Sequence, residues 1–209
     1  MYAWGTLKPI LTTLCQDIII RILCLLPAVD IISIRQTCKS LHYFTTSKIV
    51  WIHALQKVMD NHSISDASYP LREMSRSLLE RIALSPHKFM SIVKKRDGGV
   101  IEPRFSRGLP RFLSDEEKEI LGIPSVGRYD DIFLAVGGRF LATLSREYHS
   151  WPGSTLFQIW DLGLEPNSTI ECLARELEPW DDLELRLFFP DAEVKNVFYL
   201  VSLQTLPET

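Results

Sequence analysis

The 209-residue sequence has little of what builds small cross-linked or metal-bound proteins. Its four cysteines, Cys15, Cys24, Cys38 and Cys172, have no close pairing, and its five histidines are scattered. That pattern argues against a disulfide framework and reads as buried thiols in a reducing compartment. There is no Gly-rich phosphate loop, no Gly-x-Ser-x-Gly elbow and no His-Glu-x-x-His, so three common routes to catalysis lack their residues. Long apolar runs are also missing. The most membrane-like region, residues 10–34, is interrupted by Asp17, Arg21, Pro27 and Asp30, and falls short of the roughly 20 apolar residues that cross a bilayer. No basic stretch precedes a long apolar one at the N-terminus, so no secretory signal is expected, and the sequon at Asn167 is expected to be unused. A cytoplasmic or nuclear protein without a membrane partner is the expectation.

What the chain does have is a composition of 46% apolar and 23% charged residues, ordinary for a globular fold. The net charge of -3 conceals an asymmetry. Residues 1–96 carry 13 Lys+Arg against 6 Asp+Glu, and residues 97–209 carry 10 against 20, so composition changes near "RDGGVIEP". The densest basic spot, "KKR" at 94–96, reads as a solvated helix end, where cations are favoured. No nucleic-acid partner is expected.

Up to Arg96 the apolar spacing is helical. It predicts helices from about Asp17 to Leu26, from an Asp30 N-cap through Cys38, at about Leu41 to Thr46, and from Ser47 past Met59. Two more follow at about Leu71 to Leu84 and Pro86 to Lys95, with Pro86 in the tolerated first turn. After Gly98 and Gly99 the period falls to two. "DIFLAV-GG-RFLATLS" predicts a hairpin closed by a two-residue Gly-Gly turn, and "STLFQIWDLG", "TIECLAREL", "LELRLFF" and "VFYLVSL" are further strand candidates. The Pro-rich, charged span before the hairpin reads as a linker or wrapping loop with a short helix at Glu116 to Leu121. The fold class is α+β: an N-terminal tail (1–11), a helical domain (12–55), a helical extension (56–96), a linker (97–125) and an antiparallel β region (126–209).

One stretch carries more apolar surface than a surface helix needs. Wound as a helix, "QDIIIRILCLLP" at 16–27 puts Ile18, Ile22, Leu25 and Leu26 on one face and Ile19, Leu23 and Leu26 on the next. Either residues 71–95 cover the excess, or a partner does.

The ordered run Leu14, Asp17, Ile18, Ile19, Ile22, Leu23, Leu26, Pro27, Asp30, Ile31, Ile32, Ile34, Arg35, Cys38, Lys39 and Trp51 resembles the F-box. Two positions depart from that family's pattern: Cys15 stands where it usually has proline, and Leu41 where it often has a larger residue. The phrasing "SIRQTCKSLHYFTT...VWIHAL" further resembles F-box proteins abundant in mushroom-forming fungi. The resemblance implies a small helical module that interleaves with the Skp-type adaptor of cullin-based ubiquitin ligases. The implied contact residues are Leu14, Asp17, Ile18, Ile19, Ile22, Leu23, Leu26, Pro27 and Trp51. Some of these must also hold the helices together. It implies no catalysis and no cofactor in this chain, and an unknown protein substrate.

"AVGGRFLATLS" followed by "LFQIWDLG" is similar to one blade of a WD-repeat propeller, carried by Gly137, Gly138, Trp160 and Asp161. "FFPDAEVKNVFYLVS" is similar to the start of a second. The sequence holds one blade and a fraction, whereas rings close with ~4 to 8, so no closed ring is expected. A small antiparallel sheet packed on the helical half is the alternative. The segment "VFYLVSL" needs a cover for its apolar face, from the helical half or from another chain. Trp151 and Tyr148 in "REYHSWPGS" are candidate substrate anchors. Cys38 with His42, the pair Asp130 and Asp131, and "WDDLE" at 180–184 are weak metal candidates, read as structural or solvated. The runner-up function is an interaction domain unrelated to ubiquitin ligation, with the F-box-like helices closed into one α+β core.

Overall fold

The computed structural model describes residues 14–95, 106–110, 113–122, 126, 128–147, 154–178, 183–191 and 197–204. Tyr148, Trp151, Asp181 and Asp182 lie outside the described residues. The chain divides into two compact units, one within Met1–His62 and Tyr69–Pro103, the other within Ser63–Ser68 and Arg104–Thr209.

The helical unit holds α1 (Gln16–Cys24), α2 (Ala28–Arg35), α3 (Lys39–Phe44), α4 (Lys48–His62), α5 (Arg76–Ala83) and α6 (Ser85–Lys95). Helix α2 starts two residues before the expected Asp30 cap. Pro27 is its N-cap, with φ -68 and ψ 154, and Asp30 lies in the first turn, where a carboxylate complements the helix dipole. Helix α5 starts later than expected, because Ser75 accepts from the Leu78 amide at 3.2 Å and fixes the cap there. The buried centre of the helical unit is built from Ile19 and Leu23 of α1, Ile31 of α2, and Val50, Trp51, Leu55 and Met59 of α4, with Leu79 of α5.

The sheet unit holds the short helix α7 (Asp115–Leu121) and strands β1 (Arg128–Leu134), β2 (Phe140–Glu147), β3 (Ser154–Asp161), β4 (Glu171–Glu178), β5 (Leu183–Pro190) and β6 (Phe198–Gln204). The first four form an antiparallel meander in the order β1-β2-β3-β4, and β5-β6 is a separate two-stranded sheet. No ring closes among the described residues. The expected two-residue turn between β1 and β2 is longer, spanning Ala135 to Arg139, where the Ala135 amide donates to the Phe140 carbonyl and the Gly138 amide to the Ala135 carbonyl. Both glycines are needed there, with φ 103 at Gly137 and 74 at Gly138. Gly137 also needs the space: an added Cβ would meet the Ile64 methyl at 3.0 Å.

One face of the meander packs Phe140, Ala142, Leu144 and Ile159 against Leu185 and Phe188 of β5, with Phe198 and Leu200 of β6 beside them. The Phe140 and Phe198 rings meet edge to face at 5.0 Å. The cover for β6 is therefore the first sheet itself, which neither sequence-based option named. The opposite face carries Leu156 with Leu113 and Val126, joined by Leu121, Tyr129 and Leu177. Residues of the span read as a linker are thus built into the sheet unit. A capping box at Ser114 and Glu117 starts α7, and Glu117 pairs with Arg175 of β4. Arg107 donates to the Leu162 carbonyl at 2.7 Å and to the Ser168 carbonyl.

The expectation of buried thiols needs correction. Cys15 and Cys38 are exposed because they are N-caps of α1 and α3 at open helix starts. Cys24 and Cys172 are half-buried, and burial pushes the Cys172 thiol up to about 11.

Candidate functional site

Helix α1 carries unmatched apolar surface, and its rotation sorts the candidate residues. Each step of 100° moves neighbouring isoleucines from core to solvent. Ile19 and Leu23 are buried at 1% exposure, on the side facing α4, whereas Ile18 is 47% exposed and Leu25 73%. Leu14, Ile22 and Leu26 are half-buried, and Asp17 and Pro27 are exposed. The face carried by Ile18, Ile22 and Leu25, at spacings of four and three, is continuous, open at Ile18 and Leu25 and half-covered at Ile22. Leu25 belongs to that face by spacing but was not among the candidates implied by the resemblance. Residues 71–95 do not supply its cover: α5 from that span packs on α4, and Ile18 and Leu25 stay exposed.

Trp51 stands apart from this face. It is fully buried, and its Nε1–H donates to the Thr45 carbonyl at 2.8 Å. The Arg35 guanidinium lies over its ring, 5.3 Å from the centroid. That guanidinium forks onto Glu80, at 2.7 Å to Oε1 and 3.0 Å to Oε2, and also donates to Thr45 Oγ1 and the Thr45 carbonyl. Ile19, Leu23 and Trp51 therefore hold the helices together, while the open row is Ile18, Ile22 and Leu25 with Asp17 at its start. At its far end the α1 terminus is pinned by Lys57, whose Nζ donates to the Leu25 carbonyl at 2.5 Å.

Residues 11–53 match the F-box domain family. The chain carries an F-box domain. No curated protein and no solved structure matches the chain. The match spans α1 to the start of α4, so the F-box includes the open row and the Arg35–Trp51 stack but not Glu80, the carboxylate that completes it. The departure at Cys15 leaves the entry to α1 undisturbed: its φ of -56 and ψ of 143 lie where a proline would sit.

Two of the three weak metal candidates, the pair Asp130 and Asp131 and the pair Cys38 and His42, have structural roles, and the third, "WDDLE", lies mostly outside the described residues. Asp131 accepts from the Leu185 amide at 2.9 Å and from its own neighbour Ile132, and Asp130 pairs with Arg146 at 3.6 Å. Cys38 and His42 are linked as the start of a helix, the His42 amide donating to the Cys38 carbonyl. Among the described residues no group of three or more His, Cys, Asp or Glu side chains could hold a metal ion, and no helix is long and apolar enough to cross a membrane.

Proposed function

We propose that this chain is a substrate receptor of a Skp-cullin-F-box ubiquitin ligase, without catalysis or cofactor of its own. The observation that carries the reading is the open apolar row Ile18, Ile22 and Leu25 within a segment matching the F-box domain. Each aliphatic side chain left in water forgoes about 1.5–3 kcal/mol of burial, so a row of them on one short helix favours a partner. The Skp-type adaptor takes Leu14, Asp17, Ile18, Ile22, Leu26 and Pro27 as its contacts. Ile19, Leu23 and Trp51 support that surface from behind. The sheet unit presents the substrate, and ubiquitin transfer belongs to the partners. A fungal type of receptor is supported by the phrasing of residues 33–55, and a descent from a WD-like blade by the four-stranded meander with Trp160 and Asp161 at the end of β3. Work in the cytoplasm or nucleus follows from the ligase role.

Co-purification with a Skp-type adaptor tests the reading. Ile18→Asp with Ile22→Asp removes binding, because an unpaired carboxylate is costly in an apolar contact. Ile18→Asp with Leu25→Asp touches only exposed positions, so it removes binding while the helical circular-dichroism signal stays intact. Full adaptor affinity in this second double mutant would exclude the ligase role and leave an interaction domain with closed helices.

A further inference from the structure

The sheet unit has a groove of about 510 Å³ on the face of the meander that carries β5 and β6. Phe157 and Ile159 of β3 form its floor, Phe198, Leu200 and Ser202 of β6 one wall, and Glu176 and Glu178 of β4 the opposite rim. Three features point to its occupant. First, β6 pairs only with β5. The Asp191 amide donates to the Val197 carbonyl at 2.8 Å, so Val197, Tyr199 and Val201 turn their backbone groups to β5. Alternation then leaves those of Phe198, Leu200 and Ser202 on the groove side, where no backbone partner meets them among the described residues. Second, a chain added to that edge would run about 4.8 Å from β6 and over the apolar floor. Third, the rim is acidic, because the guanidinium of Arg175, the one cation among the lining residues, is taken up by Glu117. Glu176 stands opposite Phe157, and Glu178 opposite Thr155, on the floor side of β4, and neither makes an ion pair among the described residues. The C-terminal half is acidic as a whole, at 20 Asp+Glu against 10 Lys+Arg over residues 97–209, which steers cations toward it.

We infer that this groove binds an extended segment of a partner protein, added as a strand to β6, with an aliphatic side chain on the floor and Arg or Lys flanking it to meet Glu176 and Glu178. Main-chain hydrogen bonds would give the affinity and the alternate side chains the selectivity. The proposal stands whether or not the F-box binds an adaptor, since it concerns the sheet unit alone.

The test is fluorescence anisotropy of the full chain with a labelled peptide, Arg-Thr-Val-Thr-Arg-Thr-Val. A matched peptide with Glu for Arg should bind at least tenfold more weakly. Glu176→Lys with Glu178→Lys should weaken the Arg peptide at least tenfold and improve the Glu peptide. Ser202→Pro, at an exposed edge position where a ring is tolerated, should cost a further tenfold or more by removing an outward donor. Should that variant alter the circular-dichroism spectrum, N-methylation of the peptide amides reads the same strand pairing with the natural protein, with the same tenfold loss expected. Equal binding of the two peptides, or indifference to N-methylation, overturns the proposal. So does sedimentation showing that a second copy of the chain fills the edge at micromolar concentration.

Discussion

Each unit is centred on one fully buried tryptophan, and the two centres are built alike until their last hydrogen bonds. Trp51 donates to the Thr45 carbonyl at 2.8 Å and Trp160 to Thr143 Oγ1 at 3.0 Å. Arg35 lies over the first ring and Arg175 over the second, 5.3 and 5.9 Å from the centroids. Each arginine has a glutamate, Glu80 and Glu117. The difference lies in completion. All three nitrogens of the Arg35 guanidinium find acceptors, whereas among the described residues Arg175 Nε has none, and neither polar atom of the buried Gln158 beside it has a partner. Burial holds the Arg175 guanidinium below its usual range. A buried donor or acceptor without a partner costs about 1–3 kcal/mol. Among the described residues the Arg35 network of the helical unit is thus fully satisfied, whereas the sheet unit leaves Gln158 of β3 and the Nε of Arg175 on β4 unmatched.

The largest effect expected from breaking this pair comes from the tryptophans themselves. Trp51→Ala should cost about 3–5 kcal/mol, read as a lowered urea midpoint of the helical signal, and Trp160→Ala should do the same to the sheet signal. A loss below 1 kcal/mol at either site would mean that the ring is not the centre of its unit. Next come the glutamates, where the comparison sharpens. Glu80 is 21% exposed and completes a closed network, so Glu80→Ala should cost about 1.5–3 kcal/mol. Glu117 is 40% exposed, and Glu117→Ala should cost only about 0–1 kcal/mol. Equal losses in chemical denaturation would contradict the difference in completion.

Much of this architecture was legible in the sequence, and the part that was not has identifiable reasons. The six strands follow from two-residue alternation and from Gly137 and Gly138, which are local signals. Helix starts shifted by a few residues where capping decided between neighbours, as at Pro27 against Asp30 and at Ser75 against Leu71. Which isoleucine of Ile18 and Ile19 faces water is a matter of one 100° step. Only the position of α4 settles it, and no pattern within α1 contains that. The packing of Phe198 on Phe140 joins residues far apart in the chain, as does the Arg35–Glu80 pair that reaches outside the F-box match. Nothing in "STLFQIWDLG" marks Gln158 as buried, because its burial depends on what covers the sheet.

Two smaller predictions remain. Gln158→Met keeps the side-chain length and removes the unmatched amide, so the sheet unit should gain about 1 kcal/mol, seen as a raised melting temperature. A loss would show that the amide is satisfied in solution. Cys15→Pro should add about 0.4–1 kcal/mol to the helical unit by restricting the unfolded chain at a compatible φ, and should leave adaptor capture unchanged. A destabilised variant would mean that the entry to α1 differs from the conformation described.

The turn at Ser63–Ser68 belongs to the sheet unit although helices precede and follow it in the chain. Arg139 reaches the carbonyls of Ala67 and Ser68 at 3.3 Å each, across 72 and 71 residues. During synthesis that turn therefore leaves the ribosome well before its arginine exists. At ~5–20 residues per second the gap is about 4–14 s, long enough for the F-box helices to fold first around a stretch that is still waiting for its own unit. The order of birth makes the sheet unit the late and vulnerable one. A fragment that begins at residue 126 loses both the turn and the Leu113 cover, and is expected to aggregate however long it is given.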